Sequence, residues 1–307
     1  METQTFYSNG KLLLTSEYLV LDGAKALALP TKFGQSLVVK PGTNHQIKWT
    51  SFDADKSIWF EDCIAFDVIR NKVNSDSNSA VKNTLIAILH QAHLQNPDFL
   101  KANGYGVETH LTFPRNWGLG TSSTLINNIG QWLKIDAFEL LRRSFGGSGY
   151  DIACAQTNEP ILYWLENEKV NFETVAFDPE FKENIHFVYL NQKQSSKAAI
   201  SNYKRKQHKI HSVIPAINQI TEAVVECNDE KGFALLLEKH QAIISNLLET
   251  ITIKEQLFPD FKGIIKSLGA WGGDFVLVVS KENPTEYFKS KGYETVIPYE
   301  EMILQKA

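Results

Sequence analysis

The sequence is poor in cysteine, in long apolar runs and in net charge. Three cysteines occur in 307 residues. They include no C-x-x-C pair, which excludes a disulfide framework and predicts a reducing, cytoplasmic setting. The longest apolar runs, such as 275–279, have the length of a strand, whereas a membrane helix needs about 20 apolar residues. A formal charge of −4 provides no strong field for nucleic acid. We therefore expect a small-molecule partner and neither a nucleic-acid nor a membrane partner.

The composition is that of a folded globular protein. Hydrophobic residues make up 43% and charged residues 21%, which is enough apolar mass to exclude a disordered chain. The length predicts two domains, which we place at 1–180 and 181–307. A strand-rich first half and a helix-rich second half favour an α+β fold over a doubly wound sheet. Composition leaves both a monomer and a homodimer open.

The spacing of apolar residues predicts individual elements. Helical periodicity indicates helices over 81–93, 210–224, 233–247 and 257–268. The third of these contains His240 on its apolar face, where a packed histidine is expected. Short apolar runs predict strands at 11–15, 26–29 (stopped by Pro30), 36–39, 47–49, 105–111, 185–190, 274–280 and 293–297.

A first glycine segment, 114–124, lies between a predicted strand and a predicted helix. Gly118 and Gly120 allow the backbone to approach a ligand and to take positive φ. Hydroxyl groups and free N–H groups follow at the helix start, where the helix dipole favours an anion. The alternative is a plain glycine turn with a Ser/Thr N-cap. The hydroxyl-bearing residues are Thr121, Ser122 and Ser123.

Two further glycine segments and an N-terminal lysine are candidates for a site. Asp151 follows three glycines at a predicted helix start, where it could be an N-cap or a weak general base that orients a hydroxyl. The segment 266–275 could equally be a helix stop followed by a tight turn. Lys11 opens an apolar strand, where lysines often only cover a sheet edge.

Together these segments resemble the GHMP kinases, a superfamily that includes galactokinase, homoserine kinase, mevalonate kinase and phosphomevalonate kinase. The family's three motifs occur here in order, as Gly10-Lys11…Ser16-Glu17, Pro114…Gly118-Leu119-Gly120-Thr121-Ser122-Ser123 and Gly269-Ala270-Trp271-Gly272-Gly273-Asp274. The stretches 10–30 and 147–155 are most similar to phosphomevalonate kinases. The resemblance implies an N-terminal domain like ribosomal protein S5 domain 2 and a ferredoxin-like C-terminal domain.

The resemblance also implies residue roles and the cofactors ATP and Mg²⁺. Asp151 would take the proton of the substrate hydroxyl, and Lys11 would keep Asp151 ionised and offset phosphoryl charge. Ser122 would contact Mg²⁺ or the β- and γ-phosphates. The implied nucleotide-binding residues are Gly118, Leu119, Gly120, Thr121, Ser122 and Ser123. The implied substrate-binding residues are Ser148, Gly149, Ser195, Ser196, Lys197, Gly272 and Gly273.

The sequence departs from the family pattern at several positions. Ser16 and Trp271 stand where the family has glycine, and the indole could narrow the site. Thr121 and Ser123 replace the usual Ser and Ala. Glu139 is the carboxylate nearest to the position of the family's metal-binding Glu, but it is displaced from that position by one residue. Its spacing from Asp136 also fits a capping box.

The implied activity is ATP-dependent phosphoryl transfer to phosphomevalonate or mevalonate. A diphosphomevalonate decarboxylase of the same fold is one alternative. A non-catalytic nucleotide-binding homologue is another, and it would be favoured if Trp271 filled the phosphate cavity.

Overall fold

The chain folds into two compact units in a computed structural model that describes residues 2–73, 79–192, 203, 207–269, 271 and 274–305. The first unit comprises Met1–Gly10, Phe33–Arg115 and Leu119–Gln156, and the second comprises Lys11–Lys32, Asn116–Gly118 and Thr157–Ala307. Strands β1 (Gln4–Leu13) and β2 (Ala26–Pro41) contribute residues to both. The domain boundary at residue 180 stays a prediction.

A mixed sheet forms the frame of the first unit. β3 (Gln46–Phe52) pairs antiparallel with β4 (Ile58–Ala65) and parallel with β5 (Tyr105–Leu111). β5 also pairs antiparallel with residues 35–41 of β2. Side chains of β5 alternate between buried and half-buried, the pattern of a strand with one face against a core. The predicted strand over 105–111 is confirmed.

Helices cover this sheet and complete its core. They are α1 (Phe66–Arg70), α2 (Ala80–Gln95), α3 (Thr121–Leu133), α4 (Ala137–Ser144) and α5 (Tyr150–Gln156), with a 3-10 helix at Pro97–Lys101. Apolar residues of α2, α3 and α4 share one buried cluster with the sheet strands. The helix predicted over 81–93 lies within α2 and is confirmed.

The second unit contains a hairpin, an antiparallel sheet and two long helices. The hairpin strands are β6 (Ile161–Glu166) and β7 (Lys169–Thr174). The antiparallel sheet has the order β11-β8-β10-β9, made of β8 (Ile185–Tyr189), β9 (Ile264–Ser267), β10 (Phe275–Val279) and β11 (Val296–Pro298). The helices are α6 (Gln207–Glu226), α7 (Glu230–Leu248), α8 (Ile253–Leu257), α9 (Thr285–Ser290) and α10 (Tyr299–Met302), with 3-10 helices at Leu19–Asp22 and Lys182–Asn184.

One predicted helix is wrong, and one predicted strand is longer than expected. The helix over 257–268 is instead the short helix α8 followed by strand β9, because Pro259 and Gly263 interrupt the apolar spacing. The strand 26–29 does not stop at Pro30. β2 continues to Pro41, since proline is tolerated in a strand where no ladder N–H is needed.

The α+β class is confirmed by one mixed sheet and one antiparallel sheet. The names S5 domain 2-like and ferredoxin-like stay predictions. Across the described ranges, no helix combines the length and the apolar character that a bilayer crossing requires.

Candidate functional site

The loop between β5 and α3 presents free N–H groups at a helix start. Gly120 lies immediately before α3 with φ 102°, a left-handed conformation that glycine adopts readily. The N–H of Thr124 is the first to bond along the helix, to Gly120 O at 2.9 Å. No side chain of the described residues caps α3. The N–H groups of residues 121–123 are therefore available to an anion.

Side chains in this loop have two different roles. Leu119 is fully buried, and Ser123 is buried with its hydroxyl donating to Gly120 O at 2.9 Å. These two residues fix the shape of the loop. Ser122 is exposed and Thr121 is half-buried, so the hydroxyl of Ser122 is accessible to a ligand.

Three sequence motifs meet at Gly118. Lys11 Nζ donates to Gly118 O at 3.2 Å. The Asp274 carboxylate lies against the other side of the same residue, where a Cβ added to Gly118 would be 2.4 Å from Asp274 Oδ2. Gly118 has φ 71°, so both its conformation and its surroundings require glycine. Asp274 was missed as a site residue, although it ends the third motif.

A buried ionic cluster supports the N-terminal motif. Glu17, His240 and Lys266 have no exposed side-chain surface, and the Lys266 ammonium contacts a Glu17 carboxylate oxygen. The Ser16 N–H donates to His240 Nε2 at 2.8 Å. Burial, and then the Lys266 charge, lower the pKa of His240 well below its ordinary value. His240 is therefore neutral, and its predicted packed position is confirmed.

Burial acts in opposite directions on the two charged partners. It raises the pKa of Glu17 and lowers that of Lys266, and in each case the charge of the partner opposes the change. The carboxylate and the ammonium thus stabilise each other's charged forms in a site without solvent.

Ser16 and Trp271 both have a positive φ, a backbone conformation that glycine favours. Their φ values are 65° and 39°. The Trp271 side chain is buried in an apolar cluster of the second unit that includes Tyr18, Tyr203 and Leu247. The indole therefore packs into this core, and its effect on a phosphate site stays a prediction.

Asp151 lies in the first turn of α5. The helix begins at Tyr150, so Asp151 is its second residue and not its N-cap. Gly149 lies immediately before the helix with φ 95°, and its carbonyl oxygen accepts from the N–H of Ile152 at 3.0 Å. The Asp151 side chain is half-buried, and Ser148 next to the turn is buried. A carboxylate that is partly accessible can still receive a substrate hydroxyl.

Glu139 is engaged on α4. Its carboxylate forms ion pairs with Arg142 and Arg143, and hydrogen bonds from Arg143 and then Arg142 lower the pKa of Glu139. Asp136 caps α4 by accepting from the N–H of Glu139 at 3.2 Å. A metal role for Glu139 stays a prediction and requires the arginine pairs to open.

Several predicted substrate residues cannot be placed. Ser195, Ser196, Lys197, Gly272 and Gly273 lie outside the described residues. Their substrate-binding role stays a prediction.

A cavity of about 270 Å³ opens beside the start of α3. Its lining includes the aromatic side chains of Trp49, Trp59 and Phe60, and it reaches Thr121 and Ser122. Aromatic and aliphatic walls of this kind suit a flat, apolar ring.

Two buried polar atoms belong to residues that line this cavity. Trp59 Nε1 and Thr109 Oγ1 have no hydrogen-bond partner among the described residues. Such groups gain stability from a ligand that supplies acceptors. Sequence reasoning did not find this cavity, because its lining comes from strands and a helix without a shared motif; the two tryptophans ten residues apart were the available signal.

Comparisons with known proteins identify the fold. No family model matches the chain, and no curated protein matches it. Among solved structures, the Methanococcus jannaschii mevalonate kinase aligns with a TM-score of 0.69 at 14% identity over 99% of both chains. Lactococcus lactis galactokinase complexed with galactose gives 0.69 at 12%, over 99% of this chain and 94% of that one.

A third solved structure contains two bound small molecules. Streptococcus pneumoniae phosphomevalonate kinase in complex with phosphomevalonate and AMPPNP aligns with a TM-score of 0.66 at 16% identity. The alignment covers 94% of this chain and 95% of that one. The chain therefore has the GHMP kinase fold along nearly its whole length, as the motifs predicted.

Proposed function

We propose that this protein transfers a phosphoryl group from ATP to the hydroxyl of a small metabolite. The observation that carries the proposal concerns Thr121 and Ser122. These two residues line the aromatic-walled cavity and also lie at the helix start that has free N–H groups. A nucleotide has the same two parts, a flat ring and a polyanion. The fold of the three solved kinases supports the proposal.

The adenine ring is assigned to the cavity. Trp49, Trp59 and Phe60 provide apolar surface for the faces of the base. The Trp59 N–H and the Thr109 hydroxyl provide donors that can meet ring nitrogens.

The phosphates are assigned to the start of α3. The N–H groups of residues 121–123 and the helix dipole favour negative charge there. Lys11, whose ammonium donates to Gly118 O, is the proposed cation. Ser122 contributes an accessible hydroxyl.

Magnesium fits as a companion of the nucleotide. Within the described ranges, no group of three or more His, Cys, Asp or Glu residues could hold a metal ion by itself. Mg²⁺ normally binds one or two protein oxygens together with phosphates and water, and the exposed Ser122 hydroxyl is such an oxygen. When bound, the ion neutralises charge on the phosphates.

Asp151 is proposed as the residue that orients the acceptor hydroxyl and receives its proton. Positioning and charge stabilisation supply most of the catalysis in phosphoryl transfer, so a weak base suffices. We place phosphomevalonate first among substrates and mevalonate second, because the resemblance is greatest to phosphomevalonate kinases at 10–30 and 147–155. A cytoplasmic location is part of this proposal.

The test is a substrate panel with ADP release as the readout. The panel contains phosphomevalonate, mevalonate, homoserine, galactose and diphosphomevalonate, with carbon dioxide measured for the last. Asp151→Asn should lower turnover by about two orders of magnitude or more while ATP binding is retained. Near-normal turnover in Asp151→Asn would contradict the assigned role, and carbon dioxide release would identify a decarboxylase.

A further inference from the structure

A buried network of amides and hydroxyls joins α3 to α5 inside the first unit. Asn127 Nδ2, on α3, donates to Ala155 O on α5 at 3.4 Å. In the other direction, Gln156 Nε2 on α5 donates to Asn127 Oδ1 at 2.9 Å. Asn127 is 1% exposed, so the bond to Ala155 O is buried, whereas the bond from Gln156 is partly buried. The Asn127 side chain therefore both donates a hydrogen bond to α5 and accepts one from it.

Ser8 of β1 is the centre of the network. Its hydroxyl donates to Asn128 Oδ1 at 2.7 Å and accepts from Asn127 Nδ2 at 2.9 Å and Gln131 Nε2 at 3.3 Å. A serine hydroxyl has one donor and two acceptor positions, and all three are occupied. Ser8 is 1% exposed, which makes each of these bonds costly to lose.

The network also reaches the phosphate loop. Asn128 Nδ2 donates to Gln35 O at 2.9 Å, and Thr124 Oγ1 lies 3.0 Å from Gln35 Oε1. The Thr124 hydroxyl is also 2.9 Å from Gly120 O. The Thr124 hydroxyl can donate to only one of these two acceptors at a time, and through it Gln35 links the network to the start of α3.

The bonds fix the orientation of the central amide. If the Asn127 side chain were flipped, its oxygen would face Ala155 O and its nitrogen would face the Gln156 amide nitrogen. Both contacts would be repulsive, so only the observed orientation is compatible with the surroundings.

Apolar packing alone would hold α5 less specifically. Its buried side chains are Ile152, Ala153, Cys154 and Ala155. Small side chains offer few contact atoms, and dispersion forces depend weakly on direction. Hydrogen bonds are directional, so they set the rotation and the register of α5 against α3.

We propose that Ser8 and Asn127 are positioning residues that hold the Asp151-bearing helix α5 in register with the phosphate-loop helix α3. The inference rests on the proposed function, since it assigns Asp151 and Ser122 to one reaction. Neither Ser8 nor Asn127 touches the reacting groups in this account. They act through the two helices that carry Asp151 and Ser122.

Two variants weaken the network to different degrees. Ser8→Ala removes the central hydroxyl and changes little volume. Gln156→Met removes one bond to Asn127 at an exposed position, so the variant should fold. The matched control is Tyr105→Phe, which deletes a buried hydroxyl that donates to Phe99 O at 2.7 Å in the same unit and leaves the network intact.

Three measurements test the inference. Amide hydrogen exchange of residues 150–156 should be about tenfold faster in Ser8→Ala, and less so in Gln156→Met. The dissociation constant for AMPPNP with Mg²⁺ should stay within about threefold of wild type, because neither variant changes a residue of the loop at 118–123. Turnover with phosphomevalonate should fall about ten- to hundredfold with little change in KM for ATP, since a small displacement of a catalytic group has effects of this size.

The possible outcomes distinguish failure of the positioning role from failure of the proposed function. Exchange and turnover of Ser8→Ala equal to those of Tyr105→Phe would overturn the positioning role. Equal losses of turnover and of AMPPNP affinity would also overturn it, because they would indicate general destabilisation. If the wild-type protein phosphorylates none of the panel, the proposed function fails, while hydrogen exchange at α5 still decides whether the network holds that helix.

Discussion

The buried pair of Glu17 and Lys266 yields a quantitative prediction for Lys266→Met. Methionine has a similar length and no charge, so the packing is largely kept. The variant leaves the Glu17 carboxyl buried without its cation, and the least costly response is protonation. An ordinary Glu has a pKa of about 4.3, and each pH unit above it costs about 1.4 kcal/mol. The free energy of unfolding should therefore fall by about 3.7 kcal/mol at pH 7.

The same reasoning fixes the sign of the pH dependence. In the variant, Glu17 is protonated when folded and ionised when unfolded above its ordinary pKa. The folded state then binds more protons, so stability falls as the pH rises. The penalty should shrink to about 1 kcal/mol at pH 5. Urea denaturation of the variant and of wild type at both pH values measures this difference.

Two controls separate the effect from loss of a positive charge. Lys25→Met removes a partly exposed pair with Glu222 and should cost less than about 1 kcal/mol at either pH. The double variant of Lys266→Met with Glu17→Gln should recover most of the lost stability, since no buried carboxylate remains without its cation. A penalty for Lys266→Met that is the same at pH 5 and pH 7 would refute the reasoning.

Two more predictions concern the site and its support. Gly118→Ala should lower ATP affinity at least about tenfold, since alanine adopts φ 71° poorly and its Cβ would meet Asp274; calorimetric titration with AMPPNP tests it, and wild-type affinity would contradict it. His240 is neutral when folded, so below about pH 6.5 the unfolded chain binds more protons and stability falls as the pH falls. His240→Gln should flatten the slope of stability between pH 6.5 and 5, measured by urea denaturation, and an unchanged slope would show that His240 does not cause it.

Strong periodicity made the long elements predictable. The stripes at 81–93, 210–224 and 233–247 lie in α2, α6 and α7, because each long helix buries one continuous face. The same rule failed at 257–268. In that segment the apolar residues of a short helix and of the following strand together mimic the spacing of one long helix. Pro259 and Gly263 were the sequence signals that argue against a continuous helix.

Elements that depend on partners elsewhere in the chain were harder to find. The hairpin of β6 and β7 was missed because β7 is mostly exposed and polar. Its turn at Asn167 and Glu168, with φ values of 51° and 63°, was the available signal. Polar strands are defined by their neighbours in the sheet, which local spacing does not report.

The candidate site divides in the same way. The motifs predicted a site at the loop 118–123, Lys11 and Asp151, because close backbone approach and helix starts leave local signatures. They did not identify Ser8 or Asn127, whose hydrogen-bond partners lie far away in sequence. A lone Ser or Asn in an apolar stretch is compatible with many contacts, and only the fold selects among them.

The meeting of Lys11, Gly118 and Asp274 has a consequence for synthesis of the chain. The three residues span almost the entire sequence, so a growing chain has made the phosphate loop long before the carboxylate that packs against it. Contacts of such long range form late. The packing at Gly118 can therefore form only after the chain has been made as far as residue 274, and chains truncated before that residue should lack this junction.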